Sequence, residues 1–317
     1  MLKIIVLSCG TNANYHLCRI FKKNFPNNFY LIGADTNSPE NVPNISLLDE
    51  FYQIPSVADS AYYSAVVSIC KKERPDFILP TFDKEQLLFH PQNPDLNSLS
   101  IKSLSTPYES LVHYNNKKNM SFFLKANGFD VPKIHDKVTL NENQDYFVKP
   151  IDGVGSVGAR LMRGSVIKEL DDPSLLVQEV CRPPEITMEV FRYGTQISTV
   201  TRERIQTKAG VCTKAKLSSN KNLEDVAKRL IRCIQTPHFF NLQFMKNSQN
   251  NFVITDVNFR LAGGMSISYA GGWDEASALA HCLLQYSEKK IFAPLQLRHK
   301  EQWVSRVYTE VVTQFKD

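Results

Sequence analysis

A glycine-rich stretch near the middle of the chain reads Phe147-Val148-Lys149-Pro150-Ile151-Asp152-Gly153-Val154-Gly155-Ser156-Val157-Gly158-Ala159. Its apolar start is typical of the end of a β-strand, and Pro150 stops further strand pairing because proline has no backbone N–H. The glycines that follow can adopt positive φ and expose N–H groups that cradle an anion, to which Lys149 would add a positive charge. A tight glycine-rich β-hairpin with an incidental lysine explains the stretch equally well, so the rest of the chain has to decide.

The composition is that of an ordinary globular protein: 317 residues, of which 43% are hydrophobic and 22% charged. No apolar run approaches the ~20 residues of a membrane span, and the short run at the N-terminus predicts a buried strand rather than a signal peptide. The seven cysteines form no CxxC pair, which favours reduced thiols in a cytoplasmic protein over disulfides or a zinc site. The net charge of +5, without a Lys/Arg block, suits nucleotide phosphates or acidic substrates and does not indicate nucleic-acid binding.

The first half of the chain has the pattern of a parallel α/β sheet. Residues 3–8 form a continuous apolar run, residues 13–24 a predicted helix, and residues 29–33 a second strand that ends near Asp35. The first turn contains only Gly10 and lacks G-x-G-x-x-G, so a dinucleotide site is poorly supported. The pattern instead predicts a Rossmann-like domain that presents its strand ends to a substrate.

A third buried strand, residues 75–80, opens at its carboxyl end into Thr81-Phe82-Asp83-Lys84-Glu85. Open α/β sheets place ligands at such ends, so Asp83 and Glu85 are candidate substrate contacts. Acidic residues also commonly cap the first turn of a helix, and this interpretation is favoured for Asp83. The Pro/Asn/Ser-rich stretch 91–107 gives way to a different composition near 105–115, which indicates a domain boundary.

The second half predicts several strands and two helices, 222–235 and 274–287. The remaining predicted elements are a strand at 175–180, a short linker at 181–184, a strand at 185–191, paired strands within 195–217, a hairpin of 241–244 with 252–258, and a late strand at 303–312, with a helix as its alternative.

Polar side chains alternate along the second hairpin strand. Asp256, Asn258 and Arg260 share one face of it, and Gln243 lies on the partner strand. Carboxylate and amide oxygens suit Mg²⁺, and a guanidinium can neutralise charge on a phosphoryl group that is being transferred. A solvated face of an edge strand is the alternative interpretation of the same pattern.

In chain order these features resemble the ATP-grasp superfamily, most of all the branch that contains the carbamoyl phosphate synthetase large subunit and related carboxylate–amine ligases. The resemblance implies an α/β (α+β) fold: a Rossmann-like pre-ATP-grasp domain at 1–110, then a two-lobed ATP-grasp fold. The small lobe with its glycine-rich lid would span 111–182. The central and C-terminal lobe, with the metal and substrate site, would span 183–317.

The resemblance implies an ATP site. Lys117 and Lys149 would contact the phosphates under a lid containing Gly153, Gly155, Ser156 and Gly158. The backbone of Gln178, Glu179, Val180 and Cys181 would bind adenine as a hinge, and Glu185 would accept hydrogen bonds from the ribose.

The resemblance also implies a metal site and catalytic residues. Gln243, Asp256 and Asn258 would hold one or two Mg²⁺ ions, with Mn²⁺ as an alternative. Arg260 and Lys149 would be catalytic, together with Arg202, which would present a cation to the substrate. For Arg204 beside it, a solvated charge ladder with Glu203 is an equal alternative. The family usually has Glu at position 256, and many members have an acid at position 243, so this chain keeps one carboxylate for the metal.

The implied activity is ATP-dependent ligation of a carboxylate to an amine through an acyl phosphate. The expected partners are small-molecule acid and amine substrates and a second copy of the chain in a homodimer, with neither nucleic acid nor membrane. Specificity would lie in 9–14, 80–86, 200–216 and 263–272, where Gly263-Gly264 either makes room for a ligand or forms a turn. The rival functions are an ATP-binding regulatory module without ligase activity, an ATP-grasp phosphotransferase and, more distantly, a dehydrogenase.

Overall fold

The first five strands form a parallel sheet with the order β3-β2-β1-β4-β5. The structure is a computed structural model that describes residues 1–114, 116–152, 157–208, 210–288, 297–307 and 309–313. The strands are β1 Leu2–Leu7, β2 Phe29–Asp35, β3 Glu50–Gln53, β4 Phe77–Leu79 and β5 Lys102–Ser103. This order is that of a Rossmann-like domain. The central strand β1 is buried at every position except Lys3, because its other residues are apolar, as expected for a strand covered on both faces.

Four helices accompany this sheet: α1 Asn12–Asn24, α2 Tyr62–Glu73, α3 Asp83–Leu88 and α4 Pro94–Ser98. The Thr11 side chain accepts a hydrogen bond from the Asn14 backbone N–H and so caps α1. The chain then leaves the sheet through α5 Tyr108–Tyr114 and α6 Lys117–Ala126.

A small antiparallel sheet of order β7-β6-β8 follows. It consists of β6 Asp145–Pro150, β7 Arg160–Arg163 and β8 Leu175–Gln178, with α7 Gly164–Glu169 after β7. The predicted strand before the glycine-rich stretch is confirmed, and Pro150 is its last residue.

A six-stranded antiparallel sheet of order β13-β12-β9-β10-β11-β14 forms the rest. Its elements are β9 Arg182–Tyr193, β10 Gln196–Lys208, β11 Val211–Ser218, α8 Lys221–Cys233, β12 Phe239–Lys246, β13 Phe252–Asn258, α9 Met265–Ala270, α10 Glu275–Glu288 and β14 Gln302–Ser305. The mixed α/β fold with a parallel N-terminal sheet and antiparallel sheets after it is the predicted fold class.

Two details of the prediction were wrong. The linker at 181–184 does not exist as such, since β9 begins at Arg182 and contains both prolines. Prolines are tolerated there because they stand in the first residues of the strand, where fewer ladder hydrogen bonds are made. Among the described residues the late strand covers Gln302–Ser305, which pair with β11, and the Arg306 N–H makes one further hydrogen bond, to the Thr213 carbonyl of β11 at 2.8 Å. The domain limits at 110 and 182 stay predictions.

The N-terminal sheet and the six-stranded sheet share one hydrophobic core. Helix α1 packs against α10, so that Leu17 and Phe21 bury their side chains in the same cluster as Leu279 and Leu283. The Asn24 side chain also donates a hydrogen bond to Ser277 Oγ at 3.1 Å. This packing fixes the carboxyl ends of the parallel strands beside β13.

Candidate functional site

A cavity of about 330 Å³ lies between the three-stranded and the six-stranded sheets. We call it the inter-sheet cavity. Nine of the predicted site residues line it: Lys117, Lys149, Gln178, Glu179, Val180, Cys181, Glu185, Gln243 and Asp256. Apolar side chains complete the wall, among them Phe147, Leu161 and Met245. An apolar slot with a few convergent polar groups is the usual form of a small-molecule site.

Two lysines enter the cavity from different elements. Lys117 is the first residue of α6, and the Asn116 side chain caps that helix by accepting a hydrogen bond from the Asn119 N–H at 2.9 Å. Lys149 lies on β6 and donates from Nζ to the Thr255 carbonyl at 3.0 Å. Burial lowers the pKa of Lys149, and the charge of Lys117 lowers it further, while Asp256 opposes the shift. The two ammonium groups repel each other, so an anion bound between them would offset this electrostatic repulsion.

The glycine-rich stretch is described only in part. Gly158 has φ +78°, and a Cβ there would meet Pro150 Cγ at 3.0 Å, so this position requires glycine for both reasons. Its neighbours Val157 and Ala159 line the inter-sheet cavity. The predicted contacts Gly153, Gly155 and Ser156 lie outside the described residues.

The predicted hinge joins β8 to β9 along one side of the cavity. Its backbone is held in place because the Glu179 N–H donates to the Lys133 carbonyl at 2.9 Å. In return, Glu179 Oε1 accepts from the Lys133 N–H at 2.8 Å. Burial raises the pKa of the neighbouring Cys181 to about 11, so this side chain is a neutral thiol at physiological pH.

Glu185, the predicted ribose acceptor, forms an ion pair with Arg204 on the adjacent strand β10. Arg204 is thus held beside Glu185, which lines the cavity; the Arg204 side chain is 11% exposed and also donates to the Gly210 carbonyl at 2.8 Å. The charge ladder with Glu203 is therefore not the arrangement that the structure has.

The polar face of the hairpin is present as predicted. Gln243 on β12 stands directly opposite Asp256 on β13. Asn258 Nδ2 donates to Asp256 Oδ2 at 3.4 Å, and Arg260 Nη2 donates to Asn258 Oδ1 at 3.0 Å. These three side chains form a connected row that leads from the inter-sheet cavity towards the N-terminal domain.

A β-bulge explains how Lys149 reaches this hairpin. The strand register passes from Gln243 opposite Asp256 to Phe244 opposite Ile254, so Thr255 has no cross-strand partner in the register. Its carbonyl is the group that accepts the hydrogen bond from Lys149. The bulge therefore ties the small sheet to the strand that carries Asp256.

The donor set fits a magnesium ion held together with nucleotide phosphates. Asp256 supplies one carboxylate, and Gln243 and Asn258 supply amide oxygens, which are hard ligands of the kind Mg²⁺ prefers. Mg²⁺ commonly takes only one or two protein carboxylates when a substrate's phosphates complete its shell. No group of three or more His, Cys, Asp or Glu side chains among the described residues is placed to hold a metal.

The N-terminal domain contributes Asp83, which could be a substrate contact or a helix cap. It is the first residue of α3, it accepts a hydrogen bond from the Tyr114 hydroxyl, and its Oδ1 lies 3.7 Å from Arg260 Nε. Glu85 caps the same helix: its carboxylate is buried and accepts from the N–H groups of Thr81 and Phe82 at 2.7 and 2.9 Å. Asp83 therefore contacts the predicted site residue Arg260, whereas Glu85 stabilises the strand end behind it.

Arg202 lies outside the inter-sheet cavity. Its guanidinium is 4% exposed and forms an ion pair with Glu189 at 3.1 Å. Ser268 Oγ also donates to Glu189 at 2.8 Å. A Cβ on Gly264 would meet Arg202 Nη1 at 1.5 Å, so the guanidinium packs directly beneath the Gly263-Gly264 turn.

Sequence reasoning missed Arg306. The residue follows β14, and its Nη2 lies 3.3 Å from the Gly263 carbonyl and 3.1 Å from Ser266 Oγ. It had been assigned to the interior of a longer predicted strand, where an arginine indicates only an exposed face. The end of that strand at Ser305, next to a glycine turn, is a tertiary feature with no signal in the local sequence.

Over the described part of the chain, no helix is both long and apolar enough to cross a membrane.

Two family models match the sequence. The model described as "ATP-grasp in the biosynthetic pathway with Ter operon" matches residues 171–307. The model described as "PylC-like, N-terminal domain" matches residues 4–104. No curated protein sequence matches the chain.

Solved ATP-dependent enzymes share the fold at low sequence identity. The biotin carboxylase domain of 2-oxoglutarate carboxylase from Hydrogenobacter thermophilus has a TM-score of 0.73 at 12% identity, covering 96% of this chain and 73% of its own. N5-carboxyaminoimidazole synthetase from Staphylococcus aureus, solved with ADP, has a TM-score of 0.64 at 15% identity, covering 86% and 72%. L-amino acid ligase from Bacillus licheniformis has a TM-score of 0.64 at 13% identity, covering 84% and 69%.

The fold and the cavity define an ATP-grasp protein preceded by a Rossmann-like domain. Residues 171–307 match an ATP-grasp family, residues 4–104 match a PylC-like N-terminal domain, and the solved proteins named above are a carboxylase, a synthetase and a ligase.

Proposed function

We propose that the chain is an ATP- and Mg²⁺-dependent ligase that joins a carboxylate to an amine and releases ADP and phosphate. One observation carries this proposal: Lys117, Lys149, the hinge at 178–181 and Asp256 all line one cavity, between two sheets packed as in ATP-grasp enzymes. An apolar slot lined by the hinge backbone, two lysines and a carboxylate matches the chemistry of a nucleotide, which has an apolar base and anionic phosphates.

The groups that line the cavity suggest how ATP would bind. The backbone of Glu179, Val180 and Cys181 would bind the adenine edge, and Glu185 would accept from the ribose. Lys117 and Lys149 would bind the phosphates under the glycine-rich segment, together with Gly153, Gly155, Ser156 and Gly158. The lowered pKa of Lys149 supports this orientation, because a phosphate would restore its preference for the charged form.

Gln243, Asp256 and Asn258 would hold Mg²⁺ at the phosphate end, with one or two ions bound. When bound there, the ion would supply positive charge that neutralises the transferred phosphoryl group. Arg260 is held by Asn258 on one side and faces Asp83 on the other, which fixes its guanidinium beside the metal ligands. From there it would stabilise the phosphoryl group as it passes to the substrate carboxylate.

The acid and the amine would bind beyond Arg260, between the N-terminal domain and the Gly263-Gly264 turn. Arg306 lies against this turn on one side, and Asp83 faces Arg260 on the other. We propose that buried Arg202 contributes its positive charge to the substrate side of the site from beneath Gly264. The carboxylate would attack the γ-phosphate to form an acyl phosphate, and the amine would then displace phosphate. A site closed to water would protect the acyl phosphate from hydrolysis.

Two rival functions use the same cavity. A regulatory module would bind ATP without releasing ADP, and a phosphotransferase would release ADP without an amine. The ligases and carboxylases among the structural neighbours favour ligation. A homodimer is retained as a prediction of the oligomeric state.

The proposal is tested by incubating the purified chain with ATP and Mg²⁺ and a panel of paired acids and amines. We expect ADP to form only when a matching pair is present, and mass spectrometry to find a product lighter by one water than the sum of the two substrates. An unproductive panel, with folding and ATP binding verified, would contradict ligation, and ADP formation with the acid alone would favour phosphotransfer.

A further inference from the structure

A second cavity, of about 490 Å³, lies where the N-terminal sheet meets the six-stranded sheet. It shares no lining residue with the inter-sheet cavity. We call it the junction cleft and define it by residues from both units: Phe77, Lys102, Ser105, Arg192, His238 and Tyr286. A cavity of this size can hold a drug-sized molecule.

The charged lining of the junction cleft is positive. Lys102 and Arg192 contribute it, and no Asp or Glu lines the cleft among the described residues. Arg192 Nε donates to the Gly194 carbonyl at 2.7 Å and Nη1 to the Thr236 carbonyl at 2.9 Å, which holds the guanidinium in a fixed orientation. A fixed guanidinium loses little side-chain freedom when it binds an anion.

Ser105 adds a hydroxyl that is already desolvated. The residue is 8% exposed, and its Oγ has no hydrogen-bond partner among the described residues. A buried hydroxyl without a partner is unfavourable, and most such groups in folded proteins are paired. A ligand oxygen in the cleft would supply the missing partner.

Aromatic rings form the other wall. The Tyr286 ring lies 6.2 Å from Phe77 and 6.4 Å from His238, measured between ring centroids. Lys102 Nζ lies 4.7 Å from the Tyr286 centroid, which keeps the ammonium at the edge of this aromatic wall. Tyr286, a residue of helix α10, is 53% exposed, so a large part of its aromatic side chain is open to a ligand.

We propose that the junction cleft binds a small phosphorylated molecule with an aromatic or apolar body, at a site separate from the inter-sheet cavity. Lys102, Arg192 and the Ser105 hydroxyl bind the phosphate, since charge-assisted hydrogen bonds from Lys and Arg are the strongest contacts that proteins offer to such oxygens. Phe77 and Tyr286 cover the body. This proposal does not depend on the ligase reaction.

The test is calorimetric titration of the full chain with phenyl phosphate, in the presence of Mg²⁺ and a saturating non-hydrolysable ATP analogue that fills the inter-sheet cavity. We expect phenyl phosphate to bind under these conditions. Lys102→Glu should weaken binding at least about tenfold, and Lys102→Arg should keep it within about threefold, because only the first variant reverses the charge. Lys71→Glu changes an exposed lysine of α2 that does not line the cleft, so this variant should bind phenyl phosphate as tightly as the unchanged chain does.

Three results would overturn the proposal. The first is an absence of binding in the millimolar range. The second is loss of binding when the ATP analogue is present, since phenyl phosphate would then be occupying the inter-sheet cavity. The third is equal affinity in Lys102→Glu and Lys71→Glu. Circular dichroism of each variant confirms that the chain is folded, which is expected because Lys102 is exposed.

Discussion

Replacing Asp256 with asparagine is expected to lower ADP release at least about a hundredfold, because this removes the one carboxylate among the three candidate metal ligands. The change conserves the shape of the side chain, so the hairpin with Gln243 should persist. It also removes the negative charge that supports the protonated form of Lys149. The measurement is the steady-state rate of ADP formation with a productive acid–amine pair and Mg²⁺.

The matched control is Asp145→Asn, which makes the same chemical change at a residue of β6 that pairs with Arg163 on the surface. It should retain full activity, because exposed ion pairs contribute little. If Asp256→Asn released ADP as fast as Asp145→Asn, the hairpin would not be the metal site. If the unchanged chain binds ATP without releasing ADP, and both variants behave in the same way, a regulatory ATP-binding module would be favoured.

Replacing Gly264 with alanine is expected to destabilise the fold by about 2–4 kcal/mol, because the new methyl group overlaps a buried ion pair. Its Cβ would meet Arg202 Nη1 at 1.5 Å, and Arg202 is held by Glu189 with side chains 4% and 1% exposed. Moving the guanidinium away would leave Glu189 without its partner. Urea unfolding measures the change in the free energy of unfolding.

Gly263→Ala is the control, since nothing lies within 4 Å of a Cβ at that position. Neither glycine has positive φ, so the two variants differ in space and not in backbone strain. Gly263→Ala should change the free energy of unfolding by less than about 0.5 kcal/mol. Equal stability of the two variants would show that Arg202 does not support the turn as described.

Much of the fold could be predicted, because local patterns and tertiary structure agree there. The run from Lys3 to Leu7 is apolar at nearly every position, which is typical of a strand buried on both faces. In the structure this strand is the centre of the parallel sheet. The hairpin of β12 and β13 also followed from its alternation. Even the proximity of Gln243 to Asp256 was predictable, because cross-strand neighbours are fixed by register.

Other features depended on distant contacts. The late strand pairs with β11 through residues 302–305, and nothing in the β-forming run up to Val312 records where this pairing stops. Asp83 and Arg260 meet although they are far apart in the sequence, since α1 packs on α10 and brings the two units together. A single sequence does not contain that pairing.

For the site, side-chain chemistry was predictable and burial was not. The order of lysines, hinge and metal strand identified the residues that line the inter-sheet cavity. Arg202 and Arg204 have the same residue type and the spacing of one strand face, yet Arg202 lies beneath a glycine turn and Arg204 pairs with Glu185. What separates them is the position of Glu189 and Glu185 on the neighbouring strand, which is a property of register.

The central claim is that ATP activates a carboxylate, and oxygen transfer tests it most directly. An acid that supports ADP formation is labelled with ¹⁸O in its carboxylate and incubated with the chain, ATP, Mg²⁺ and the matching amine, and the released phosphate is analysed by mass spectrometry. The account predicts one ¹⁸O atom in each phosphate, because an acyl phosphate that loses its phosphate to an amine leaves one carboxylate oxygen behind. Phosphate without ¹⁸O would contradict it.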